Sequence, residues 1–468
     1  MSAMGNSLKF GTSGLRGLAV DLEGQAARRF VRAFLRHLAG RGLLGEGRVY
    51  LAHDFRPSSR AILNDCAMAI AAEGLLPVDC GAVPTPALAL HAMAARCPAI
   101  MVTGSHIPAD RNGLKFYLPD GEISKEDEDS ISAALGDDDI GDVALTLIDE
   151  SGLAEARYLR RFEGLLPDKS LAGLRIGVFE HSSVARDVLG QVFRRFGAET
   201  IGLGRIDGFV PVDTEAFGDA VFAPLKSWLI EYGLDAIVSA DGDGDRPLLM
   251  DRNGEFVRGD ALGLIAARFL DAQSVVTPVT SNSAIERTGY FPEVIRTRVG
   301  SPYVIEGLQR ARGRVVGFEA NGGTFVGRGF DLAPLETRDA VLPLLCAFGL
   351  AAQNGISLEQ LISSLPLQHA LADRLQDVPA ERSAAFLRRL GDDPAYAARV
   401  FAGHGIASIS QIDGIQVRTG SGDMVHFRAS GNAPELRCYV EGSTPEAARK
   451  LLDWGLDIAA KELGLTVG

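Results

Sequence analysis

Residues 235–249, DAIVSADGDGDRPLL, join an apolar run to an acidic, glycine-rich loop and then to a second apolar run. The first run predicts a buried strand, because it is short, apolar and bounded by turn residues. Two other apolar runs end in unusual polar loops, at residues 99–106 (AIMVTGSH) and 314–323 (RVVGFEANGG). Loops at the carboxyl ends of strands carry the chemistry in α/β proteins, so these three loops are the first candidates for a functional site.

A second pattern lies upstream of each of these runs: a short apolar strand, a polar turn and a helical segment. Its three copies are residues 49–63 (VYLAHDFRPSSRAIL), 175–189 (RIGVFEHSSVARDVL) and 274–288 (SVVTPVTSNSAIERT). Strands that alternate with helices predict α/β units. The sequence therefore predicts three related α/β domains.

The end of the chain follows a different pattern, and the repeat of strand, polar turn and helical segment does not recur after about Gln368. The strands GIQVRTG, MVHFRAS and CYVEG and a closing helix from Pro445 predict a fourth domain of α+β type. We expect linkers at the acidic stretch GDDDIGD (residues 136–142) and at LPLQHALADR around Pro366. The expected domains are residues 1–148, 149–255, 256–366 and 367–468.

The composition is that of an ordinary folded protein, with 46% hydrophobic and 23% charged residues in a chain of 468. A formal net charge of -13 argues against a nucleic-acid partner, which needs a cationic face, although a local basic pocket can still bind a small anion. The five cysteines are scattered and fit neither a disulfide framework nor a thiolate zinc site. Without a signal-peptide pattern or a membrane span, we expect a cytoplasmic protein.

The acidic loop places Asp241, Asp243 and Asp245 at alternating positions separated only by glycines. These carboxylates repel one another unless a cation neutralises them, and compact oxygen ligation suits Mg²⁺. An EF-hand is excluded, because Arg246 and Arg252 stand where that pattern needs Gly and Glu. The alternative is a solvated turn rich in Asp and Gly.

Ser105 follows the apolar run at residues 99–102. It is not a nucleophile elbow, because Thr103 and Ile107 occupy the positions that need glycine. A serine at a strand end is often a helix cap. A serine without a triad can also carry a phosphoryl group, since phosphoryl transfer depends on positioning and charge neutralisation. The metal loop favours this second reading.

The loop at residues 428–437, RASGNAPELR, combines an arginine with a turn. Ser430, Gly431 and Asn432 offer hydroxyl, backbone and amide donors, and Arg428 is a bidentate clamp. This pattern is typical of a phosphate site, and the alternative is a hairpin turn.

Two further loops belong to the third α/β unit, at residues 298–302 (RVGSP) and 317–323 (GFEANGG). Glu319 and Asn321 present a carboxylate and an amide two residues apart. Such a pair is suited to the vicinal hydroxyls of a sugar.

In this order, the loops resemble those of the phosphohexomutase superfamily, and the resemblance covers the whole chain. Residues 10–17 (FGTSGLRG) are similar to its opening signature, 103–117 (TGSHIPADRNGLKFY) to its phosphoserine loop, 241–246 (DGDGDR) to its metal loop and 428–437 to its phosphate loop. Within the superfamily the chain looks most like the bacterial phosphomannomutases. The resemblance implies three related α/β domains with mixed sheets and a smaller C-terminal α+β domain, arranged around a central cleft.

The resemblance also implies roles for individual residues. Ser105 would be the phosphorylated serine and would complete a Mg²⁺ site with Asp241, Asp243 and Asp245. The residues around the transferring phosphoryl group would be Arg16, His106, Lys115 and Arg246. Glu319 would contact the sugar, and the distal phosphate would be held by Arg428, Ser430, Gly431 and Asn432.

The sequence departs from the family pattern in three of its loops. The sugar loop of many relatives reads G-E-x-S-G-H, whereas here Asn321 replaces Ser and Gly323 replaces His. Lys115 is therefore the first candidate for the general acid/base, with Arg16 as a helper. Arg298 stands where relatives commonly have Lys, which keeps the charge but changes its shape. The phosphate loop reads SGNAP where relatives often have SGTEP.

The implied activity is that of an isomerase. Phospho-Ser105 would interconvert hexose 6-phosphate and hexose 1-phosphate, mannose and also glucose, with hexose 1,6-bisphosphate as intermediate and activator. Phosphoglucomutase and phosphoglucosamine mutase remain open as alternatives, as do a phosphomonoesterase and a non-catalytic phosphosugar-binding protein. We expect a monomer or homodimer.

Overall fold

The computed structural model describes residues 7–11, 13–430 and 434–465. The chain divides into two compact units: unit 1 consists of Met1–Val276 and Gly300–Ser364, and unit 2 of Thr277–Val299 and Leu365–Gly468. The division into four domains stays a prediction. Among the described residues, no helix has the length and apolar character needed to cross a membrane.

The first sheet of unit 1 has the strand order β1-β2-β6-β5-β3-β4-β8, and β7 pairs with β6. Its strands are β1 (Lys9–Phe10), β2 (Leu15–Leu18), β3 (Arg48–His53), β4 (Leu76–Asp79), β5 (Ala99–Val102), β6 (Arg111–Leu118), β7 (Gly121–Glu122) and β8 (Ile148–Asp149). The helices of this part are α1 (Ala19–Leu22), α2 (Gln25–Gly40), α3 (Ser59–Ala72), α4 (Thr85–Ala94) and α5 (Lys125–Ala133).

Helix α2 shows why this sheet has a core. Its residues Ala27, Phe30, Val31, Phe34 and Leu38 recur at helical spacing and are all buried. This spacing produces one apolar face, which packs in the same hydrophobic cluster as the inward-facing side chains of the sheet.

The acidic segment expected as a linker, residues 136–142, forms neither helix nor strand and lies against α2. Arg28 Nη1 donates to Asp142 Oδ1 at 2.7 Å and to the carbonyl of Ile140 at 2.9 Å. The side-chain amide of Gln25 exchanges two hydrogen bonds with the backbone of Ile140. The segment is therefore fastened to the helix by both charge and backbone contacts.

The second sheet of unit 1 has the strand order β10-β9-β11-β12. Its strands are β9 (Arg175–Phe179), β10 (Glu199–Leu203), β11 (Ala236–Ala240) and β12 (Pro247–Asp251). The helices around it are α6 (Ser151–Arg161), α7 (Arg186–Arg195) and α8 (Leu225–Glu231), with a 3₁₀ turn at Ala220–Phe222.

The third group of strands in unit 1 starts with β13 (Ser274–Pro278), which passes into unit 2 at Thr277. It continues with β15 (Val315–Phe318), β16 (Thr324–Val326) and β17 (Leu335–Asp339). The accompanying helices are α9 (Gly259–Phe269), α11 (Ser301–Arg310), α12 (Val341–Asn354) and α13 (Leu358–Ser363).

Unit 2 contains an antiparallel sheet of order β18-β22-β21-β20-β19. Its strands are β18 (His369–Leu375), β19 (Ser408–Ser410), β20 (Ile415–Arg418), β21 (Met424–Ala429) and β22 (Leu436–Gly442). Its other elements are α10 (Ala284–Arg287), β14 (Glu293–Thr297), α14 (Ala380–Asp392), α15 (Pro394–Val400) and α16 (Pro445–Glu462).

The strands and closing helix expected in the C-terminal part are confirmed. The expected linker LPLQHALADR is wrong in its second half, because residues from His369 onward form β18, paired with β22 over His369–Leu375. The strand carries exposed charged residues on a sheet edge, and this pattern looks like a loop in sequence.

The predicted repeat is confirmed in three places. In each, the strand of the first phrase runs parallel to the strand before the polar loop: β3 with β5, β9 with β11 and β13 with β15. The strand after the loop then returns antiparallel: β6, β12 and β16. Each candidate loop is therefore a turn between two paired strands.

Candidate active site

Ser105 lies in the turn between β5 and β6 and is fully buried. Its φ of 54° is in the left-handed region, which a serine adopts only where surrounding contacts hold it. Its backbone N–H donates to Thr103 Oγ1 at 2.8 Å, and its hydroxyl donates to Asp241 Oδ2 at 2.6 Å. The element that follows is strand β6, so Ser105 is not a helix cap.

The acidic loop between β11 and β12 brings the three predicted carboxylates together. Asp241, Asp243 and Asp245 each offer one oxygen, these oxygens lie within 4.8 Å of one another, and all three residues are buried. Within the described part of the chain, Asp243 Oδ1 and Asp245 Oδ1 have no hydrogen-bond partner. Buried, mutually repelling carboxylates with unpaired oxygens fit a hard divalent cation such as Mg²⁺.

Two carboxyl groups of this acidic triad, those of Asp241 and Asp245, have pKa values shifted in opposite directions. Burial raises the pKa of Asp241 well above its usual value, and the neighbouring Asp243 and Asp245 raise it further. Burial also acts to raise the pKa of Asp245, but Arg338, Lys115 and Arg246 outweigh it and lower that pKa below its usual range. The protein's own cations therefore keep Asp245 ionised, whereas at Asp241 burial and the neighbouring carboxylates outweigh Arg246, so a bound cation would favour its ionised form.

Lys115 reaches the triad from β6. Its Nζ lies 2.5 Å from Asp243 Oδ2 and 2.6 Å from Asp245 Oδ2, and the residue is buried. Burial alone would lower the pKa of Lys115, but the two carboxylates raise it above its usual value. The residue is thus a positive charge at the triad, and its role as general acid/base stays a prediction.

Three other predicted residues, His106, Arg16 and Arg246, act on one another electrostatically beside Ser105 and the acidic loop. His106 Nδ1 lies 3.3 Å from Ser105 Oγ, and burial, Arg246 and Arg16 lower the pKa of His106 to about 2. Burial also lowers the pKa of Arg16 to about 10, as do Arg246 and Arg338. Arg246 Nε lies 3.8 Å from Asp245 Oδ1. Two arginines whose charges act on His106 and on the acidic residues are suited to a transferred anionic group.

The loop between β15 and β16, predicted to be the sugar loop and called so below, contains Glu319 and Asn321, both buried. Asn321 Oδ1 accepts a hydrogen bond from the backbone N–H of Gly323 at 3.0 Å, so this oxygen shapes the turn. Glu319 Oε2 accepts from Arg338 Nη1 at 2.9 Å. Arg298, predicted to bind the substrate, is exposed and lies in unit 2.

Arg428 lies near the end of β21 in unit 2. Its Nε donates to Asp413 Oδ2 at 2.7 Å, and the same oxygen accepts from the backbone N–H of Val299 at 3.0 Å. Asp413 thus orients the guanidinium, a role that no sequence pattern around QIDGIQ indicated.

Of the rest of the predicted phosphate loop, Ser430 lies among the described residues. The backbone N–H of Ser430 donates to the carbonyl of Glu435 at 3.0 Å, which closes the loop between β21 and β22. Gly431 and Asn432 lie outside the described residues, so their assignments stay predictions.

Comparison with known proteins decides the family. Models described as phosphoglucomutase/phosphomannomutase α/β/α domain I, α/β/α domain III and C-terminal domain match residues 7–139, 258–368 and 371–454. A phosphomannomutase of Sinorhizobium fredii is 46% identical, over 96% of this chain and 98% of that protein. The chain belongs to the phosphoglucomutase/phosphomannomutase family. A second relative, a phosphomannomutase of Salmonella muenchen, is 40% identical over 98% of this chain and 97% of its own length.

Solved structures show that the fold is shared. A phosphoglucomutase/phosphomannomutase family protein from Burkholderia thailandensis superposes with a TM-score of 0.78 at 20% identity, and 98% of each chain is covered. A putative phosphomannomutase from Thermus thermophilus gives 0.75 at 23% identity, over 98% of this chain and 99% of the other. The fold class and the family expected from the sequence are confirmed. The chain is therefore a phosphohexomutase, an isomerase.

Arg56 is a residue of this phosphohexomutase that sequence reasoning missed. Its side chain is fully buried beneath the loop that contains Ser105, and its Nε donates to Asp54 Oδ2 at 3.2 Å. Its two Nη atoms donate to four loop carbonyls, those of Ser105 (2.8 Å), Ile107 (2.6 Å), Pro108 (2.6 Å) and Arg111 (2.8 Å). A Cβ on Gly104 would lie 2.6 Å from Arg56 Cζ, so only glycine fits there.

We expect Arg56→Met to lower the free energy of unfolding by about 3–5 kcal/mol, because it leaves Asp54 as an uncompensated buried charge. The loop carbonyls also lose their donors. Urea titration measures the change. Arg60→Met is the matched control: Arg60 pairs with Asp79 but is half exposed, and we expect a change of at most about 1 kcal/mol. Equal losses in the two variants would contradict the assigned role.

Thr85 is a second missed residue. Its backbone N–H and its hydroxyl donate to the carbonyl and to Oδ2 of Asp243, at 2.9 and 2.6 Å. Thr85 opens helix α4, and a threonine at a helix start is so common that nothing in the sequence marks it as a support of the acidic loop.

Proposed function

We propose that this phosphohexomutase interconverts the 6-phosphate and the 1-phosphate of mannose, and also of glucose, through a phosphoserine at Ser105. The observation that carries the proposal is the hydrogen bond from the Ser105 hydroxyl to Asp241, within a buried acidic triad and beside the cations of Arg16, Lys115 and Arg246. The preference for mannose is supported by two relatives named phosphomannomutases, at 46% and 40% identity.

In the reaction, phospho-Ser105 gives its phosphoryl group to the free hydroxyl of a hexose monophosphate. The bond from Ser105 Oγ to phosphorus breaks as the bond from the sugar oxygen forms. The sugar hydroxyl releases its proton and Ser105 Oγ takes one up, and Lys115, the first candidate for the general acid/base, is protonated and can donate it. The hexose 1,6-bisphosphate then turns around, and its other phosphoryl group returns to Ser105. A hexose 1,6-bisphosphate also serves as activator, because it can charge an unphosphorylated enzyme.

The site residues of unit 1 have separate roles in this reaction. Asp241 accepts the hydrogen bond from Ser105 Oγ and so aims that oxygen when the phosphoryl group returns. Arg16 and Arg246 offset the negative charge of the transferring group. Ser105 and the acidic triad would hold Mg²⁺, which would supply further neutralisation of that charge.

We assign the phosphate that is not being transferred to unit 2. Arg428, aimed by Asp413, is the main donor in this proposal, and Ser430, Gly431, Asn432 and Arg298 complete the set. A separate phosphate site can accept either end of the sugar while the serine and the acidic triad stay unchanged.

The experiment compares turnover of mannose 1-phosphate, glucose 1-phosphate and glucosamine 1-phosphate with hexose bisphosphate present. If Glu319 and Asn321 contact the 3- and 4-hydroxyls, they contact positions that mannose and glucose share. We therefore expect activity on both sugars, and much less on the glucosamine phosphate, whose ammonium group at C2 needs its own accommodation. Weak discrimination follows because no buried partner is left unpaired by either epimer.

Glu319→Gln should lower turnover of the mannose and glucose phosphates together. A preference for one epimer above about a thousandfold, or about 4 kcal/mol in the transition state, would show that another residue contacts C2. Release of inorganic phosphate without any isomerised product would favour a phosphomonoesterase, and binding without turnover a phosphosugar-binding protein. A dominant glucosamine activity would identify a phosphoglucosamine mutase.

A further inference from the structure

Arg338, in strand β17, connects the sugar loop to the acidic loop. Its Nε and Nη2 lie 3.0 and 2.9 Å from Asp245 Oδ2, and its Nη1 donates to Glu319 Oε2 at 2.9 Å. Its Nη2 also donates to Ser13 Oγ at 3.3 Å. The side chain is only 5% exposed, so one buried guanidinium bonds to three separate loops of unit 1.

The sugar loop is shaped to let this side chain pass. A Cβ at Gly323 would lie 2.6 Å from Arg338 Cδ and 2.7 Å from its Cγ, which is closer than side-chain carbons approach. Gly323 is also one of the positions at which the loop departs from the G-E-x-S-G-H pattern. The absence of a side chain at residue 323 therefore provides the path by which Arg338 reaches Glu319 and Asp245.

The chemistry of the group suits this connection. A guanidinium is planar and presents its donors in a fixed fork, so it can bond two carboxylates at once and hold them at a set separation. An ammonium group is a point charge on a flexible stem and cannot fix the same geometry. Lys115 already supplies such a point charge between Asp243 and Asp245. The distinct contribution of Arg338 is the bridge to Glu319.

We propose that Arg338 is a positioning residue that aligns the sugar carboxylate Glu319 with the acidic triad and also weakens the affinity of the triad for Mg²⁺. This inference rests on the function proposed above. Because its positive charge lies against Asp245, Arg338 competes with a cation for that carboxylate. Removing the charge should therefore tighten Mg²⁺ binding while the reaction slows.

The first test is Arg338→Met in the full-length protein. Calorimetric titration with MgCl₂ alone, without sugar, should show binding tighter by about tenfold, because one competing charge is gone. At saturating Mg²⁺, kcat should fall by about 100-fold, which is the loss that a misplacement of about 1 Å causes. A merely structural defect would weaken both properties, so the opposite directions identify the role.

The second test is Arg338→Lys, which keeps the charge and removes the fork. Its Mg²⁺ affinity should stay within about threefold of the parent value, while kcat stays low. Arg314→Met is the matched control: this arginine pairs with Asp271 at the surface and should leave both quantities unchanged. Thermal unfolding checks that each variant is folded. If Arg338→Met does not fold, the kcat of Arg338→Lys tests the positioning role of Arg338 instead.

Two results would overturn the proposal. One is Mg²⁺ binding that is unchanged or weaker in folded Arg338→Met. The other is parent-like kcat in Arg338→Lys, which would mean that charge alone suffices. Failure of the parent protein to isomerise any hexose phosphate would refute the proposed function instead. The titration without sugar still tests the effect of Arg338 on the triad in that case.

Discussion

Ser105→Ala should keep the fold and lose turnover by about 10⁴-fold or more, because the phosphoryl group has no oxygen to occupy between its two transfers. The change is small in structural terms. Alanine and serine are similarly disfavoured at φ 54°, and the hydroxyl makes its main hydrogen bond to Asp241. Loss of stability therefore cannot account for a loss of activity of this size.

The measurement combines kinetics with intact-mass analysis after incubation with hexose bisphosphate. The parent protein should carry one phosphoryl group and Ser105→Ala none. Ser130→Ala is a matched control, because Ser130 lies in helix α5 with its hydroxyl bonded to the carbonyl of Glu126, away from the site. It should retain both the adduct and the activity. A phosphoryl adduct that persists in Ser105→Ala would move the carrier to another residue.

The proximity of Ser105 and the acidic triad could be expected from the sequence because each of their loops shows two local features at once. An apolar run predicts a strand. The polar and acidic residues directly after it are costly to bury unless they have a hydrogen-bond partner or a ligand. Ser105 and the acidic triad satisfy both conditions, and the structure brings them together at 2.6 Å between Ser105 Oγ and Asp241 Oδ2.

The supporting residues could not be predicted in the same way. Arg56 bonds the carbonyl of Ser105 across 49 residues of sequence, and Arg338 bonds Asp245 across 93. An arginine in a turn or a strand is usually solvated, so only tertiary contact distinguishes these two from surface arginines. The same argument applies to Asp413, because only its tertiary contact with Arg428 distinguishes it from other aspartates.

The sequence does not predict that residues 277–299 group with unit 2, and the reason is related. Asn282 bonds both backbone groups of Gln368 through its side chain, and the backbone N–H of Ser283 donates to Glu441 Oε1 at 2.9 Å. Contacts between a side chain and a distant backbone leave no periodic pattern in the sequence. The three strand–turn–helix repeats could thus be recognised in the sequence. The residues that contact the loops after them could not.

Asp243→Asn should fold normally and reduce kcat by about 10²–10³-fold, the loss typical of removing one preorganised electrostatic contact. Asp243 has one oxygen engaged by Lys115 and Thr85, while its Oδ1 has no partner among the described residues. Asparagine keeps the size of the side chain but removes a unit of negative charge. The triad then neutralises a divalent cation less well, and the transferring phosphoryl group loses part of its stabilisation.

The control for this prediction is Asp251→Asn, another buried aspartate, at the end of β12. Asp251 Oδ1 accepts backbone N–H groups of Asn253 and Glu255, both at 2.9 Å, and an asparagine oxygen can accept them equally well. This variant should therefore keep parent kcat, although it too loses a buried charge. Chelation of the parent protein should abolish activity, and added Mg²⁺ should restore it. Full activity after exhaustive chelation, or parent kcat in Asp243→Asn, would mean that the acidic triad does not hold a catalytic cation and that side-chain cations such as Lys115, Arg246 and Arg338 balance its charge instead.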